Sequence, residues 1–245
     1  MAVIDTAQLP IGSSPFSGGT ASIQALALPS MSRGLQFLEA PTGPFGFQGA
    51  MKRLLDVVVS VALLILWAPI FLAIAVLIKL DSPGPAIIRQ NRVGRNGTPF
   101  EILKFRSMVS NAEQLRQDLS GLNEAQAPMF KIRQDPRITR VGRHLRRLSV
   151  DELPQLLNVV RGDMSLVGPR PPFAHEVHED YVRQSLRLKF PPGMTGLWQV
   201  CGRSGVDYDG MIRLDLQYTR EWSISLDLKI LIRTLPVVIS AKGAC

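Results

Sequence analysis

The sequence predicts a mainly α-helical membrane protein with one small β-hairpin, monotopic on one face of the bilayer through a re-entrant helix-break-helix segment. Three observations lead to this prediction: a long uncharged apolar run, a strongly basic segment after it, and two apolar stretches joined by Asn96-Gly97. With 245 residues, of which 46% are hydrophobic, the chain can form one principal domain beside a membrane element. We divide it into an N-terminal extension (1–49), a membrane helix (50–82) and a main domain (83–245).

The N-terminal extension is predicted to be mostly disordered. Residues 1–49 are rich in Gly, Ser, Pro and Ala, and their only charged residues are Asp5, Arg33 and Glu39. They lack the basic segment followed by an apolar segment that is typical of a signal peptide. Such a composition is typical of a disordered segment.

The membrane helix is predicted from Val57 to Ile78, a run of 22 residues without a charge. As a helix it would be about 33 Å long, enough to cross the hydrocarbon core of a bilayer. Pro69 lies near its middle, removes one backbone hydrogen bond and predicts a kink. Basic residues flank the run on both sides, so both ends are expected on the cytoplasmic side. This favours a re-entrant segment broken at Ala68-Pro69, with a single kinked crossing as the alternative.

The charge balance points to an anionic partner. The formal net charge is +8, and the whole of this excess lies within residues 85–245. Nucleic acid, phospholipid headgroups and a phosphorylated substrate would all satisfy it. The two cysteines, Cys201 and Cys245, are too far apart in the sequence to suggest a disulfide framework or a paired metal motif.

The main domain opens with the predicted hairpin. Residues 86–93 and 100–105 are apolar or alternating, and Asn96-Gly97 between them favours a tight turn. Asn111 to Leu122 has the spacing of a short amphipathic helix. Arg137 to Arg147 carries an arginine every three or four residues, which places most of these arginines on one side of a helix. A phosphate-rich partner or an anionic membrane surface would relieve their mutual repulsion.

Asp151-Glu152 follows this basic stretch directly. If Ser149 capped the next helix, Pro154 would break a helical hydrogen bond, whereas with Asp151 as the N-cap Pro154 falls in the first turn. We therefore predict a helix from Glu152 to Val160 that begins at Asp151. A helix N-terminus beside several arginines favours phosphate, so a carboxylate nucleophile and an anionic target could meet there. A plain capping role for Asp151 is the alternative.

Two further segments carry candidate chemistry. Arg170 lies between Pro169 and Pro171, and this rigid backbone suits bidentate contact with a phosphate, although pairing with a surface carboxylate is an equal alternative. His175 and His178 lie among acidic residues, but they lack the i, i+4 spacing of the common zinc helix. We interpret them as part of a solvated helical face. Ser223 to Ala241 is interrupted by charges and Pro236, which predicts an interfacial or packing helix.

Five motifs, taken together, resemble one family. They are Lys52-Arg53-Leu54-Leu55-Asp56, Lys104-Phe105-Arg106-Ser107-Met108, Asp151-Glu152-Leu153-Pro154-Gln155, Gly168-Pro169-Arg170-Pro171 and Pro192-Gly193-Met194-Thr195-Gly196-Leu197-Trp198-Gln199-Val200. With the apolar run and its central proline they occur in the expected order across residues 51–243. The sequence resembles the bacterial sugar transferases, which are monotopic polyprenyl-phosphate phosphoglycosyltransferases, and in particular their exopolysaccharide-priming branch.

The resemblance implies a function and a location. It implies transfer of a sugar 1-phosphate from a UDP-sugar to undecaprenyl phosphate with release of UMP, by a magnesium-dependent catalytic domain on the cytoplasmic face of the bacterial inner membrane. It also implies a catalytic Asp-Glu pair in which the aspartate forms a covalent phosphosugar intermediate, here Asp151 beside Glu152. Asp151 is expected to contact the Mg²⁺ as well. Galactose and glucose are the leading candidates for the sugar, and no oligomeric state is predicted.

Neutralisation of the diphosphate is expected from nearby basic and polar side chains, because a diphosphate repels an attacking carboxylate. The candidates for binding the substrate phosphates are Lys104, Arg106, Arg146, Arg147, Gln155 and Arg170.

Two observations qualify the likeness to this family. Many members have Ser-Pro at the break of the membrane helix, whereas this chain has Ala68-Pro69, so no serine hydroxyl is available there to cap the freed backbone. The alternative class of function is a membrane-anchored module that binds nucleic acid or acidic lipid. Phe130 is the only aromatic residue between Met108 and Pro172, which leaves little for base stacking, so we expect no nucleic-acid partner.

Overall fold

The computed structural model describes Pro44 and residues 46–124, 130, 132–179, 181–202 and 205–239. Most of the predicted N-terminal extension, 1–49, therefore lies outside the described residues, while its last four residues are helical. The helices are α1 (Gly46–Asp81), α2 (Ala112–Asp118), α3 (Arg140–Arg147), α4 (Gln155–Arg161), α5 (Ala174–Glu179), α6 (Tyr181–Arg187), α7 (Leu197–Cys201), α8 (Tyr208–Glu221) and α9 (Ile224–Ile239). The strands are β1 (Ile87–Val93), β2 (Pro99–Phe105), β3 (Ser165–Val167) and β4 (Gly193–Thr195). The prediction of a mainly helical protein with one small antiparallel hairpin is confirmed.

Helix α1 contains the apolar run and is longer than predicted. It has 36 residues, and among the described residues it is the one helix long and apolar enough to cross a membrane. Many of its large apolar side chains, such as Ile65, Leu66 and Leu72, are exposed. The helix continues without interruption through Pro69. The predicted break at Ala68-Pro69 is therefore not a loss of helical structure, and whether α1 re-enters or crosses a bilayer stays a prediction.

Strands β1 and β2 form the predicted hairpin in antiparallel register. Asn96 has φ 57° and ψ 24°, and Gly97 has φ 80°, so the pair turns the chain through the left-handed region that these two residues tolerate. Directly paired residues share a face of the sheet, and successive residues alternate between faces. Because Ile88 pairs with Lys104 and Arg92 with Phe100, the side chains of Lys104 and Arg92 project from the same face.

The first part of α1 is held against the main domain by buried charges. Lys52 donates to the carboxylate of Asp227 on α9 at 2.6 Å and to the Val167 carbonyl at 3.0 Å. Asp56 accepts a hydrogen bond from the Leu166 N–H at 3.1 Å. The guanidinium of Arg53 donates to the last carbonyls of α4. The Lys52 to Asp56 motif is therefore a docking element that fixes the apolar helix to α4, β3 and α9.

The motif that begins at Gly168 and the motif that begins at Pro192 meet beside a short parallel pair of strands, β3 and β4. Ser165 pairs with Gly193 and Val167 with Thr195. A Cβ at Gly168 would lie 2.4 Å from the Pro191 carbonyl oxygen, and one at Gly193 would lie 2.1 Å from the Gly168 nitrogen. Only glycine allows backbones to approach this closely. Residues of β3 and α4 then join the main core with Phe190, Tyr218 and Trp222.

Candidate active site

Asp151 and Glu152 lie in a 3₁₀ turn between α3 and α4, and not at the start of α4, where they were predicted. Ser149 has φ 54° and ends α3, and Val150–Glu152 then forms one turn of 3₁₀ helix. Helix α4 begins at Gln155, and Pro154 is its N-cap. The prediction of Asp151 as N-cap was wrong. It placed Pro154 in the first turn of the helix, where no hydrogen bond is lost, but an N-cap residue also needs no N–H for an intrahelical bond, so proline fits the N-cap position equally well. The turn presents two adjacent carboxylates beside the hairpin.

Lys104 joins the hairpin to this turn. Its ammonium donates to Glu152 Oε1 at 2.8 Å, and the Glu152 side chain keeps 39% of its surface exposed. Burial raises the pKa of Glu152, but the opposing charges of Lys104, Arg92 and Arg170 lower it below its ordinary value. Glu152 is therefore held as a carboxylate that a ligand can still reach.

Asp151 has the opposite pKa shift. Desolvation by burial, together with the charge of Glu152, raises the pKa of Asp151 to about 6. The charges of Lys104 and Arg146 partly counter this rise. The pair thus combines one firmly ionised carboxylate with one whose charge is costly, and such a difference between neighbours is typical of functional sites. At neutral pH roughly nine in ten Asp151 side chains are still ionised.

Arg92 is a site residue that the sequence motifs did not reveal. Its guanidinium is buried, lies 3.4 Å from the centre of the Phe173 ring and donates to the Pro171 carbonyl at 3.0 Å. Burial and the nearby charge of Arg170 lower the pKa of Arg92 to about 9, so it is still a cation at neutral pH. The alternation of β1 could have identified it, because Arg92 occupies an inward position of a strand opposite an apolar partner, Phe100.

Arg170 is held in place by several contacts. Its guanidinium makes a bidentate pair with the buried Glu176, at 2.8 and 3.2 Å. Burial raises the pKa of Glu176, but the charge and hydrogen bonds of Arg170, together with the Phe173 N–H and the charge of Arg92, lower it below its ordinary value. The Arg170 N–H donates to Asp215 at 3.1 Å, and Arg187, itself paired with Asp215, donates to the Arg170 carbonyl at 2.9 Å. The carboxylate pairing foreseen as the alternative is thus present, and 20% of the Arg170 side chain is exposed beside Glu152 and Arg92.

Of the remaining predicted phosphate ligands, Arg146 is near enough for its charge to lower the pKa of Asp151, whereas Arg106, Gln155 and Arg147 are placed differently. Arg106 is 3% exposed, and its guanidinium donates to the Ile78, Ser82 and Pro83 carbonyls at the end of α1. Arg106 therefore caps the C-terminal end of α1, and its role as a phosphate ligand stays a prediction. Gln155 is buried in the first turn of α4, with 2% exposed. Arg147 lies on the exposed face of α3.

The oxygen donors of the site suit a hard divalent cation. Mg²⁺ is commonly held by one or two carboxylates together with substrate phosphates, and less often by a dedicated protein cage. Within the described part of the chain no group of three or more His, Cys, Asp or Glu side chains could hold a metal ion. Magnesium binding stays a prediction, with the carboxylates of Asp151 and Glu152 as its candidate protein ligands.

Comparison with known proteins gives concordant matches. The family model described as bacterial sugar transferase matches residues 47–241. The galactosyl transferase CpsE of Streptococcus agalactiae is 47% identical over 194 residues, which are 79% of this chain and 43% of that protein. The exopolysaccharide production protein ExoY of Rhizobium meliloti is 39% identical over 215 residues, 85% of this chain and 94% of that protein.

A third relative has a more specific name. The UDP-glucose:undecaprenyl-phosphate glucose-1-phosphate transferase of Caulobacter vibrioides is 46% identical over 203 residues, 79% of this chain and 71% of that protein. The chain thus spans less than half of CpsE and nearly the full length of ExoY.

Proposed function

The chain belongs to the bacterial sugar transferase family, and we propose that it transfers a sugar 1-phosphate from a UDP-sugar to undecaprenyl phosphate, releasing UMP. The resemblance carried by the sequence motifs is thereby confirmed at the level of the family. The name of the Caulobacter vibrioides relative supports the donor and the acceptor, and that of ExoY supports a role in starting exopolysaccharide assembly.

The observation that carries the proposal is the contrast between Asp151 and Glu152. A carboxylate that is ionised but poorly solvated is a better nucleophile than one fully hydrated, and Asp151 has this character. In the proposed reaction an Asp151 oxygen forms a bond to the phosphorus that carries the sugar. The bond from this phosphorus to the UMP oxygen breaks, and UMP leaves with the electron pair. A phosphate oxygen of the acceptor lipid then attacks the same phosphorus and releases Asp151.

The cations around the pair have separate parts in this proposal. Lys104 holds Glu152 in position and offsets part of the negative charge at the turn. Arg170 can exchange its bond to Glu176 for a substrate phosphate, since its fork is already oriented and partly exposed. Arg92 donates to the Pro171 carbonyl, and its charge stabilises the ionised form of Glu152. A bound Mg²⁺ would supply further charge neutralisation at the diphosphate, with Asp151 as a ligand.

The location is part of the proposal. The apolar surface of α1 supports insertion into the bacterial inner membrane, and the basic residues at both its ends support a re-entrant path with the main domain on the cytoplasmic face. Single cysteines introduced at exposed positions near Arg53 and near Ser82, in a variant that lacks Cys201 and Cys245, should both react with an impermeant thiol reagent only from the cytoplasmic side. Reaction of the two positions from opposite sides would mean that α1 crosses the membrane.

The covalent step can be tested by isotope exchange. With Mg²⁺ present and polyprenyl phosphate rigorously removed, labelled UMP should exchange into the UDP-sugar, because the first half-reaction is reversible. Asp151→Asn should not support exchange, while Asp118→Asn, the same change at an exposed position on α2, should exchange as the wild type does. Absence of exchange in an enzyme that regains activity when lipid is restored would exclude the covalent route and leave Asp151 as a metal ligand.

A further inference from the structure

Helix α3 carries a stripe of exposed arginine side chains, with one histidine among them. Arg140, Arg143, His144 and Arg147 are all exposed, while Gly142 and Leu145 are buried on the opposite side. At 100° per residue the four exposed positions fall within an arc of about 100°, so they form one face of the helix. None of the eight residues of α3 is acidic. Like charges at these spacings repel each other, and a complementary anionic surface would remove that cost.

The position of this stripe relative to α1 indicates what the anionic surface is. The Val141 N–H, in the first turn of α3, donates to the carboxylate of Asp81, the last residue of α1, at 3.0 Å. Leu145 packs with Ile74 and Ile78 in one cluster at this end of α1. The exposed apolar surface of α1 extends to Leu80, directly before Asp81, where the helix ends.

We propose that the stripe of Arg140, Arg143 and Arg147 binds the headgroups of anionic phospholipids at the edge of the bilayer that receives α1. The proposal rests on the membrane location given under Proposed function. Since the buried side of α3 packs on the end of α1, its arginine face lies at the depth where phospholipid phosphates lie once the apolar part of α1 is inserted. Basic residues at this depth contribute electrostatic attraction to an anionic leaflet, and snorkelling guanidinium groups reach phosphate oxygens.

The test measures lipid binding by the full-length chain in neutral detergent micelles, with fluorescent phosphatidylglycerol as the probe and fluorescent phosphatidylcholine as the uncharged reference. Wild type should bind phosphatidylglycerol more tightly than phosphatidylcholine, and the difference should decrease with salt. Each single Arg→Gln change in the stripe should weaken phosphatidylglycerol binding by about fivefold at low salt, and the triple change by more than about tenfold.

Two matched variants make the result specific. Changing Lys189, Arg213 and Arg220 to Gln removes the same charge from exposed positions around α6 and α8, and this variant should bind phosphatidylglycerol as wild type does. Changing the three stripe arginines to Lys keeps the charge and should retain most of the binding. Equal losses in the stripe and control variants, or no loss in the stripe variant with its folding verified by circular dichroism, would overturn the proposal.

Two controls separate this proposal from those it depends on. If unlabelled polyprenyl phosphate at equal mole fraction displaces the probe from wild type but not from the triple Arg→Gln variant, the stripe binds the acceptor substrate, and the phospholipid assignment is wrong. Retention of wild type in vesicles after a high-salt wash tests the membrane location itself. If wild type is washed off, the proposed membrane location is wrong whatever the lipid selectivity. If wild type is retained but shows no preference for phosphatidylglycerol, only the proposed binding of phospholipid by the stripe is wrong.

Discussion

Replacement of Asp151 by Asn should stabilise the folded protein while abolishing turnover. The folded state raises the pKa of Asp151 from its ordinary 3.8 to about 6, mainly because the turn desolvates the carboxylate and sets it beside Glu152. A group with a raised pKa binds its proton more tightly in the folded chain. Its contribution to stability is therefore fully present below pH 3.8 and is lost as the pH rises to about 6. Above that range the ionised carboxylate lowers the free energy of unfolding, whereas an amide at this position does not.

The size of this cost follows from the two pKa values. Their difference corresponds to about 3 kcal/mol at neutral pH, since each pKa unit is about 1.4 kcal/mol. Asp151 is partly exposed, and water in the site screens the effect, so the measured gain should be smaller, on the order of 1–2 kcal/mol. For a domain of this size that gain corresponds to a rise in melting temperature of roughly 3–6 °C.

The assay is thermal unfolding of the full-length protein in neutral detergent at several pH values between 4 and 8. The rise in melting temperature for Asp151→Asn should be largest at pH 7 to 8 and smallest at pH 4, where the folded carboxyl is already protonated. Asp118→Asn, at an exposed position, should change stability by less than about 0.5 kcal/mol at each pH. A rise that does not depend on pH, or a loss of stability at pH 8, would show that the Asp151 carboxylate is not destabilised by its surroundings.

Two more predictions concern the groups around this pair. The value of kcat/KM should decrease as the pH is lowered through about 6, because the nucleophile must be ionised. Lys104→Met should move this decrease to higher pH, since the charge of Lys104 lowers the pKa of Asp151. If the decrease does not move, the ionisation belongs to a group other than Asp151. Arg187→Met should cost about 3–5 kcal/mol of unfolding free energy, because it leaves the buried Asp215 carboxyl without its paired cation. The double variant Arg187→Met, Asp215→Leu should recover part of that loss in denaturant unfolding, and no recovery would mean that Arg187 acts mainly through the Arg170 carbonyl.

Several elements could be derived from the sequence because their causes are local. Asn96-Gly97 favours a tight turn whatever surrounds it, and the apolar run of α1 is recognisable from its length alone. The Asp151-Glu152 pair was likewise found from its neighbours. The start of α4 was missed because a local argument about hydrogen bonds allowed two positions for Pro154, and the left-handed backbone of Ser149 selected between them.

The roles of the basic side chains, in contrast, depended on contacts far apart in the chain. The sequence by itself determined that a cationic domain follows an apolar helix and that family motifs mark its site. It did not distinguish Arg106, which caps α1 across more than 20 residues of sequence, from Arg92, whose charge stabilises ionised Glu152. Only the tertiary structure decided this, because the free energy of a guanidinium depends on which carbonyls, carboxylates and rings the fold brings within a few ångströms of it, and the residue type alone carries no such information.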